Sequence, residues 1–85
     1  MTKYEATDSK GRVYKRGTKN RTYTHAVVGY RAREIVTHHT EPQRWEISDK
    51  YEVSWAGSAA LAEARAKTFY NYGLQDIEII EAREV

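Results

Sequence analysis

A strand, a break and a helix follow one another in the segment Tyr51–Gly73, and this succession restricts the fold more than any other part of the chain. Large residues alternate with polar ones over residues 51–55, and a period of two places the large side chains on one face of a strand. Six of the eight residues 59–66 are Ala or Leu, which favours a helix over residues 59–72. Because an isolated helix of this length is marginal in water, it must pack against another element. The segment therefore predicts a helix docked on a β-sheet.

Both ends of the predicted helix carry terminal signals. The hydroxyl of Ser58 can accept a hydrogen bond from an amide of the first turn, and Gly73 suits the left-handed position after the last turn. At 100° per residue the helix has one apolar side, which we expect to pack on the strand face that carries Val53 and Trp55. The residues of that side are Leu61, Ala62, Ala66 and Phe69, with Tyr72 at its edge.

Alternating β-branched and aromatic residues predict strands along the rest of the chain. The predicted strands are residues 2–6, 12–16, 22–31, 45–55 and 77–85, and Asp8-Ser9-Lys10-Gly11 predicts a turn between the first two, because Asp and Ser can bond their own backbone. Two alternatives stay open, because residues 30–36 fit either a strand or a helix, and residues 48–50 fit either a turn or the middle of one long strand. The order is β-β-β-β-α-β. The fold class is α+β, an antiparallel β-sheet of about four to five strands with one α-helix packed on one face and the other face at least partly in water.

Length and composition limit the kind of protein that this chain can form. Eighty-five residues predict a single α+β domain over residues 1–85. The absence of cysteine excludes a disulfide framework, a thiol nucleophile and a Cys-based zinc site. No apolar run is long enough to span a bilayer, and the first ten residues lack the apolar segment of a signal peptide. We therefore expect a cytoplasmic protein with no membrane contact.

No motif in the sequence points to catalysis or to a bound cofactor. His38 and His39 are adjacent, so in an extended segment their side chains point apart and make poor metal ligands. Serine, histidine and aspartate occur without the strand-turn-nucleophile context of a hydrolase. The glycines are scattered and form no phosphate-binding loop. We expect no enzymatic activity, no metal and no cofactor.

The charge is divided unevenly along the chain and suggests a contact surface. Residues 1–40 hold nine Lys/Arg and three Asp/Glu, whereas residues 41–85 hold five and nine. Basic residues interleave with tyrosines in the predicted N-terminal hairpin, as in sheet modules that hold nucleic acid by phosphate contact and base stacking. Two other interpretations are contact with an acidic protein surface and a charged edge that prevents aggregation. The candidate partner-binding residues are Arg12, Tyr14, Lys15, Arg16, Lys19, Arg21 and Tyr23, with His38 and His39 from the loop at residues 37–44.

One stretch of the chain resembles a known class of proteins. The residues Gly-Arg-Val-Tyr and Arg-Thr-Tyr-Thr-His-Ala-Val-Val, within Lys10–Val28, resemble small proteins of phages and mobile elements, of the anti-CRISPR or host-defence-inhibitor type. The strand-to-helix passage at residues 55–58 fits the same resemblance. It implies a non-catalytic inhibitor that occupies the surface of a host defence protein or nucleoprotein complex in the host cytoplasm.

Three hypotheses follow for the function. The first is such a protein–protein inhibitor, with the basic hairpin as its contact surface. The second is a nucleic-acid-binding module that uses the same hairpin. The third is a homodimer or larger homo-oligomer built by edge pairing of a terminal strand.

Overall fold

The structure of the protein is a computed structural model that describes residues 1–35 and 44–85. It confirms the predicted order of elements and the α+β fold class. Residues 30–35 lie in a strand, so the strand alternative is confirmed over these residues. The elements are β1 (Thr2–Thr7), β2 (Val13–Thr18), β3 (His25–Ile35), β4 (Arg44–Ala56), α1 (Ala59–Asn71) and β5 (Gln75–Glu84).

The five strands form one antiparallel sheet in the order β2-β1-β5-β3-β4. The C-terminal strand β5 holds the sheet together, because residues 82–84 pair with β1 and residues 75–81 pair with β3. This order leaves β2 and β4 as the two edge strands. Each pairs with a single neighbour among the described residues.

The sheet curls until residues from its two edges touch. The rings of Tyr14 on β2 and Tyr51 on β4 meet edge to face, with their centroids 5.4 Å apart. Strand twist accumulates across a sheet and brings distant strands together in this way. The curl closes around a buried cluster formed by Ala6, Tyr14, Ala26, Val28, Tyr30 and Ile80, against which Trp55 and Ala82 pack. The expectation that this face is partly in water is confirmed, because Tyr51 and Val53, the register partners of Tyr30 and Val28, are 43% and 37% exposed.

The helix packs on the opposite, outer face of the sheet. Its buried residues are Ala62 and Phe69, and they join a second cluster with Val27, Ala56 and Leu74. Gly29 permits this contact, since a Cβ at Gly29 would lie 3.1 Å from side-chain atoms of Phe69 and Leu74. The outer cluster is therefore built on small residues that let the helix approach the sheet.

Two details of the predicted helix packing are wrong. Trp55 packs with the inner cluster, and Ala56, the next residue along β4, lies under the helix instead. Successive residues of a strand face opposite sides, so the helix covers the other face of β4 from the one expected. Leu61 is 41% exposed and is not part of the docking side.

The predicted ends of the helix are confirmed. The Ser58 hydroxyl accepts a hydrogen bond from the Leu61 amide at 3.1 Å. Gly73 has a φ of 82°, in the left-handed region that favours glycine. The Leu74 amide then donates to the Phe69 carbonyl at 3.0 Å, which satisfies a carbonyl of the last turn. This helix is too short to cross a membrane, and no other helix occurs in the described ranges.

Residues 48–50 lie within one long strand, and they interrupt its pairing with β3. Three residues on β3, from Tyr30 to Ala32, face five on β4, from Ile47 to Tyr51. The Ser48 hydroxyl fills part of the irregularity by donating to the Arg31 carbonyl at 2.7 Å. Since side chains alternate between the two faces with a period of two, the two extra residues leave the odd-numbered residues of β4 on the same face before and after the irregularity.

Strand β5 contains a bulge near its beginning. Three residues on β3, from Val28 to Tyr30, face four on β5, from Gln75 to Glu78. Asp76 lies in this bulge with a φ of 54°, an unusual value for a residue other than glycine. The bulge brings Asp76 into an ion pair with Lys10 of the β1–β2 turn.

Candidate interaction surface

Five exposed cations lie along β2 and the turns at its two ends, and we call them the basic edge. Strand β2 pairs with β1 over six consecutive residues without a break in register. Its other side carries no strand in the described part of the chain. The basic edge consists of Arg12, Lys15, Arg16, Lys19 and Arg21, all of them exposed.

The turn before β2 is held in place by a buried carboxylate. Asp8 is 8% exposed, and its Oδ1 accepts hydrogen bonds from the amides of Lys10 and Arg12, both at 2.9 Å. Its Oδ2 accepts a bond from the Tyr14 hydroxyl at 2.8 Å. An aspartate that bonds amides two and four residues ahead closes a tight turn. This confirms the turn predicted at residues 8–11 and determines where β2 begins.

The same contacts shift two pKa values. Burial opposes the charged form of Asp8, but the bonds from Tyr14, Arg12 and Lys10 outweigh it, so the pKa of Asp8 is lowered. Burial raises the pKa of the Tyr14 hydroxyl, and its contacts with Tyr30 and Asp8 raise it further. The pair is therefore an ionised acceptor and a neutral donor at neutral pH.

The two tyrosines of the predicted surface are buried, so the expectation that they lie exposed beside the cations is wrong. Tyr14 is 4% and Tyr23 is 8% exposed. The Tyr23 ring packs between Tyr4, at a centroid distance of 5.4 Å, and Trp55, at 5.9 Å. Both rings lie inside the curled sheet, Tyr14 from β2 and Tyr23 from the segment that precedes β3. Neither can stack on a base without opening the core.

An aromatic residue that the sequence did not single out lies beside the basic edge instead. Tyr51 is 43% exposed, and the Arg12 guanidinium lies over its ring at 4.7 Å from the centroid. These two residues come together only because the sheet curls and brings the side chains of its two edges into contact. No local sequence signal could have predicted it.

No cation of the basic edge forms an ion pair with a carboxylate among the described side chains, although the charge of Arg12 is felt by Asp8 and helps to lower the pKa of that carboxyl. Carboxylate partners are recorded for Lys10 with Asp76, Arg31 with Glu52, and Arg83 with Glu5, and all three cations lie outside the basic edge. Glu5 lies opposite Lys15 in the strand register, but its carboxylate contacts Arg83 at 3.5 Å. The basic edge therefore presents net positive charge to the solvent.

An open groove of about 440 Å³ runs beside the basic edge. Three cations (Lys3, Lys15 and Arg16) and one carboxylate (Glu5) line it together with the apolar side chains of Met1 and Val85. A groove with both cationic and apolar walls can take an acidic segment that also carries apolar side chains.

His38 and His39 lie outside the described residues, so their part in a contact surface stays a prediction. Within residues 1–35 and 44–85, no three His, Asp or Glu side chains converge so that they could hold a metal ion.

Comparison of the chain with protein-family models, with curated proteins and with solved structures finds no match. The geometry and charge of the basic edge are therefore what indicates a function.

Proposed function

We propose that this protein is a non-catalytic binding protein that attaches to an acidic surface of a partner protein through the basic edge. The resemblance of the Lys10–Val28 stretch extends the proposal to an inhibitor of a host defence protein or nucleoprotein complex, of the anti-CRISPR type, which acts in the host cytoplasm. Such an inhibitor needs no active site. It works by covering a surface that its target uses.

The observation that carries the proposal is the row of exposed cations along β2 and its turns, none of which forms an ion pair with a carboxylate within residues 1–35 and 44–85. An internal structural role would leave these cations paired, as Lys10 is paired with Asp76. Uncompensated charge on one edge speeds and selects encounters with a surface of opposite sign. Arg12 adds a held contact group, since Tyr51 orients its guanidinium.

The burial of Tyr14 and Tyr23 favours a protein partner over nucleic acid. Modules that bind single strands need exposed aromatic rings on which bases can stack. The tyrosines of the hairpin contribute to the core instead. Without stacking, the basic edge offers charge and shape, which suit an acidic protein surface.

The test is capture of a partner from host lysate, followed by reconstitution with the purified partner. Arg12→Glu with Arg16→Glu should abolish both capture and reconstituted binding, because it reverses two charges of the basic edge. Lys50→Glu with Lys67→Glu is the matched control, since it reverses two exposed cations elsewhere and should leave binding unchanged. Equal binding by both double variants would reject the proposal.

Nucleic acid remains the second candidate function, because the same uncompensated cations can neutralise phosphates. If it is correct, the chain alone binds bare DNA or RNA, and affinity falls steeply between about 50 and 200 mM salt. Binding that is indifferent to salt and to the Arg12→Glu/Arg16→Glu change would exclude it. Tight nucleic-acid binding with no protein captured would reject the first proposal in favour of this one.

A further inference from the structure

Half of the backbone hydrogen-bonding groups of β2 point away from the sheet. The Asp8 amide donates to the Arg12 carbonyl at 3.0 Å, which marks these two residues as a hydrogen-bonded pair of the antiparallel ladder. Hydrogen-bonded and non-hydrogen-bonded pairs alternate in such a ladder. The register then directs the backbone N–H and C=O groups of Tyr14 and Arg16 toward β1. The residues whose N–H and C=O groups point to the open side are Val13, Lys15 and Gly17.

A second hydrogen bond supports this assignment from the other side of β1. The Val85 amide donates to the Lys3 carbonyl at 2.9 Å, so the backbone of Lys3 is directed toward β5. Lys3 is the register partner of Gly17. Since a non-hydrogen-bonded pair directs both members outward, Gly17 is directed toward the open side as well.

We infer that β2 binds its partner by strand addition: an extended acidic segment of the partner protein pairs with the open side of Val13, Lys15 and Gly17. This rests on the proposed function and specifies how the basic edge holds its partner. Strand addition obtains affinity from main-chain hydrogen bonds and specificity from the side chains that alternate along the added strand.

The charges of β2 select an acidic segment. Arg12 and Arg16 share the face of the strand that carries Tyr14, and Lys15 lies on the opposite face. Acidic side chains on either face of an added strand therefore find a cation directly opposite or diagonal to them. An apolar side chain opposite Tyr14 would contact the exposed part of the Tyr51 ring, which lies beside Tyr14.

The same charges exclude a second copy of this chain at β2. Pairing β2 with its own copy about the middle of the strand would bring the Lys15 and Arg16 side chains of both copies together. Like charges at opposed positions destabilise a strand pair. Strand β4 is a poorer site for strand addition, because its extra residues at 48–50 break the regular spacing that an added strand needs.

The probe is a blocked heptapeptide, acetyl-Glu-Val-Glu-Val-Glu-Val-Glu-amide, titrated into the full chain and followed by the amide resonances of β2. We expect saturable shifts at Val13, Lys15 and Gly17 and slowed hydrogen exchange at these three amides. The same peptide methylated at every backbone amide keeps the charge but cannot donate in a ladder, and we expect it to bind about tenfold more weakly or worse. A peptide with Lys in place of Glu should not bind.

Variants of the chain separate strand addition from attraction by charge. Val13→Pro removes one outward N–H without removing a bond to β1, and Val13→Thr keeps that N–H in a β-branched residue. We expect Val13→Pro to bind the peptide about tenfold more weakly than the wild type and Val13→Thr to bind it equally well. Lys15→Glu should weaken it by a similar factor, whereas Lys67→Glu on the helix should not. Amide spectra and melting temperatures show whether each variant is folded.

Each other outcome overturns the inference in a distinguishable way. Equal binding of the methylated and unmethylated peptides means that charge alone holds the segment, and the proposed function then stands without strand addition. No peptide binding, with a partner still captured through Arg12 and Arg16, leads to the same conclusion. Loss of both peptide binding and partner capture rejects the proposed function too. A sedimenting dimer that Val13→Pro dissociates assigns β2 to a second copy instead.

Discussion

The two edges of the sheet are built differently, although both are open. Strand β2 is short and regular, pairs with β1 through six consecutive residues, and carries cations. Strand β4 has 13 residues, exposes apolar side chains at Ile47, Tyr51 and Val53, and contains two residues more than β3 requires between Ile47 and Tyr51.

The difference shows two ways in which a chain can keep an open edge from aggregating. An irregularity such as that of β4 prevents any strand from pairing in register. Charge, as on β2, prevents a strand of like sign from pairing and leaves the backbone available to one of opposite sign. An edge that is protected from aggregation by charge, and is still regular, can thus bind a strand of opposite charge selectively. For this reason we assign the partner to β2.

The largest expected effect comes from removing the carboxylate that sets the start of β2. Asp8→Ala deletes the acceptor of the Lys10 and Arg12 amides and leaves the Tyr14 hydroxyl buried without its partner. We expect the free energy of unfolding to fall by about 3 kcal/mol, measured by urea denaturation. The control is Ser9→Ala, whose side chain is exposed and which should change stability by less than about 0.5 kcal/mol. Equal effects of the two changes would mean that Asp8 does not hold the turn.

Acid should weaken the β2 edge through the same group. Because the pKa of Asp8 is lowered by folding, its contribution is present above the unfolded pKa of about 3.9 and is lost as the pH falls through the folded value. We expect the urea midpoint to drop below about pH 4. In Asp8→Asn the urea midpoint should fall less between pH 6 and pH 2.5 than in the wild type. The two proteins have all other carboxylates in common, so the difference reports on Asp8. An identical pH dependence in both proteins would contradict the assigned shift.

Removing the charge from β2 should cause the protein to self-associate through that edge, whereas removing charge from β4 should not. Lys15→Val with Arg16→Val leaves a regular apolar edge, and we expect a higher weight-average mass in sedimentation equilibrium than for the wild type. Lys50→Val is the matched change on β4, where the irregularity at residues 48–50 persists, and its mass should match the wild type. The comparison fails if Lys50→Val associates as strongly as the β2 variant does.

The smallest effect is expected where the two edges touch. Tyr51→Leu removes the ring that lies beside Tyr14 and under Arg12. We expect a loss of about 1 kcal/mol in the free energy of unfolding, typical of one aromatic pair and one exposed cation–ring contact. Tyr70→Leu on the helix, where the ring is largely exposed, should cost less than about 0.5 kcal/mol. Chemical denaturation of the two variants side by side decides the point.

Local sequence signals were sufficient for the elements of this fold. Alternation predicted the strands, Ser58 and Gly73 predicted the helix ends, and Asp8 predicted the turn, because each depends on bonds within a few residues. Face assignments failed where they depended on the whole sheet. The helix covers Ala56 and leaves Trp55 to the inner cluster, and no local pattern shows which face of a sheet closes on itself.

The candidate surface was predicted only in part, because some of its features are local and others depend on the whole sheet. Exposure of the cations followed from their type, since Lys and Arg are rarely buried without a partner. Burial of Tyr14 and Tyr23 depended on the curl, which brings β2 over β4. The contact between Arg12 and Tyr51 joins residues on opposite edges and required the three-dimensional structure.

Amide hydrogen exchange of the free chain tests the open, regular edge of β2 most directly. The account predicts alternation along the strand: Val13, Lys15 and Gly17 exchange rapidly, because their N–H groups point to solvent, and Tyr14 and Arg16 exchange slowly, because theirs bond to β1. Protection of Lys15 and Gly17 comparable with that of Tyr14 and Arg16 would contradict it, since the open side of β2 would then already be covered.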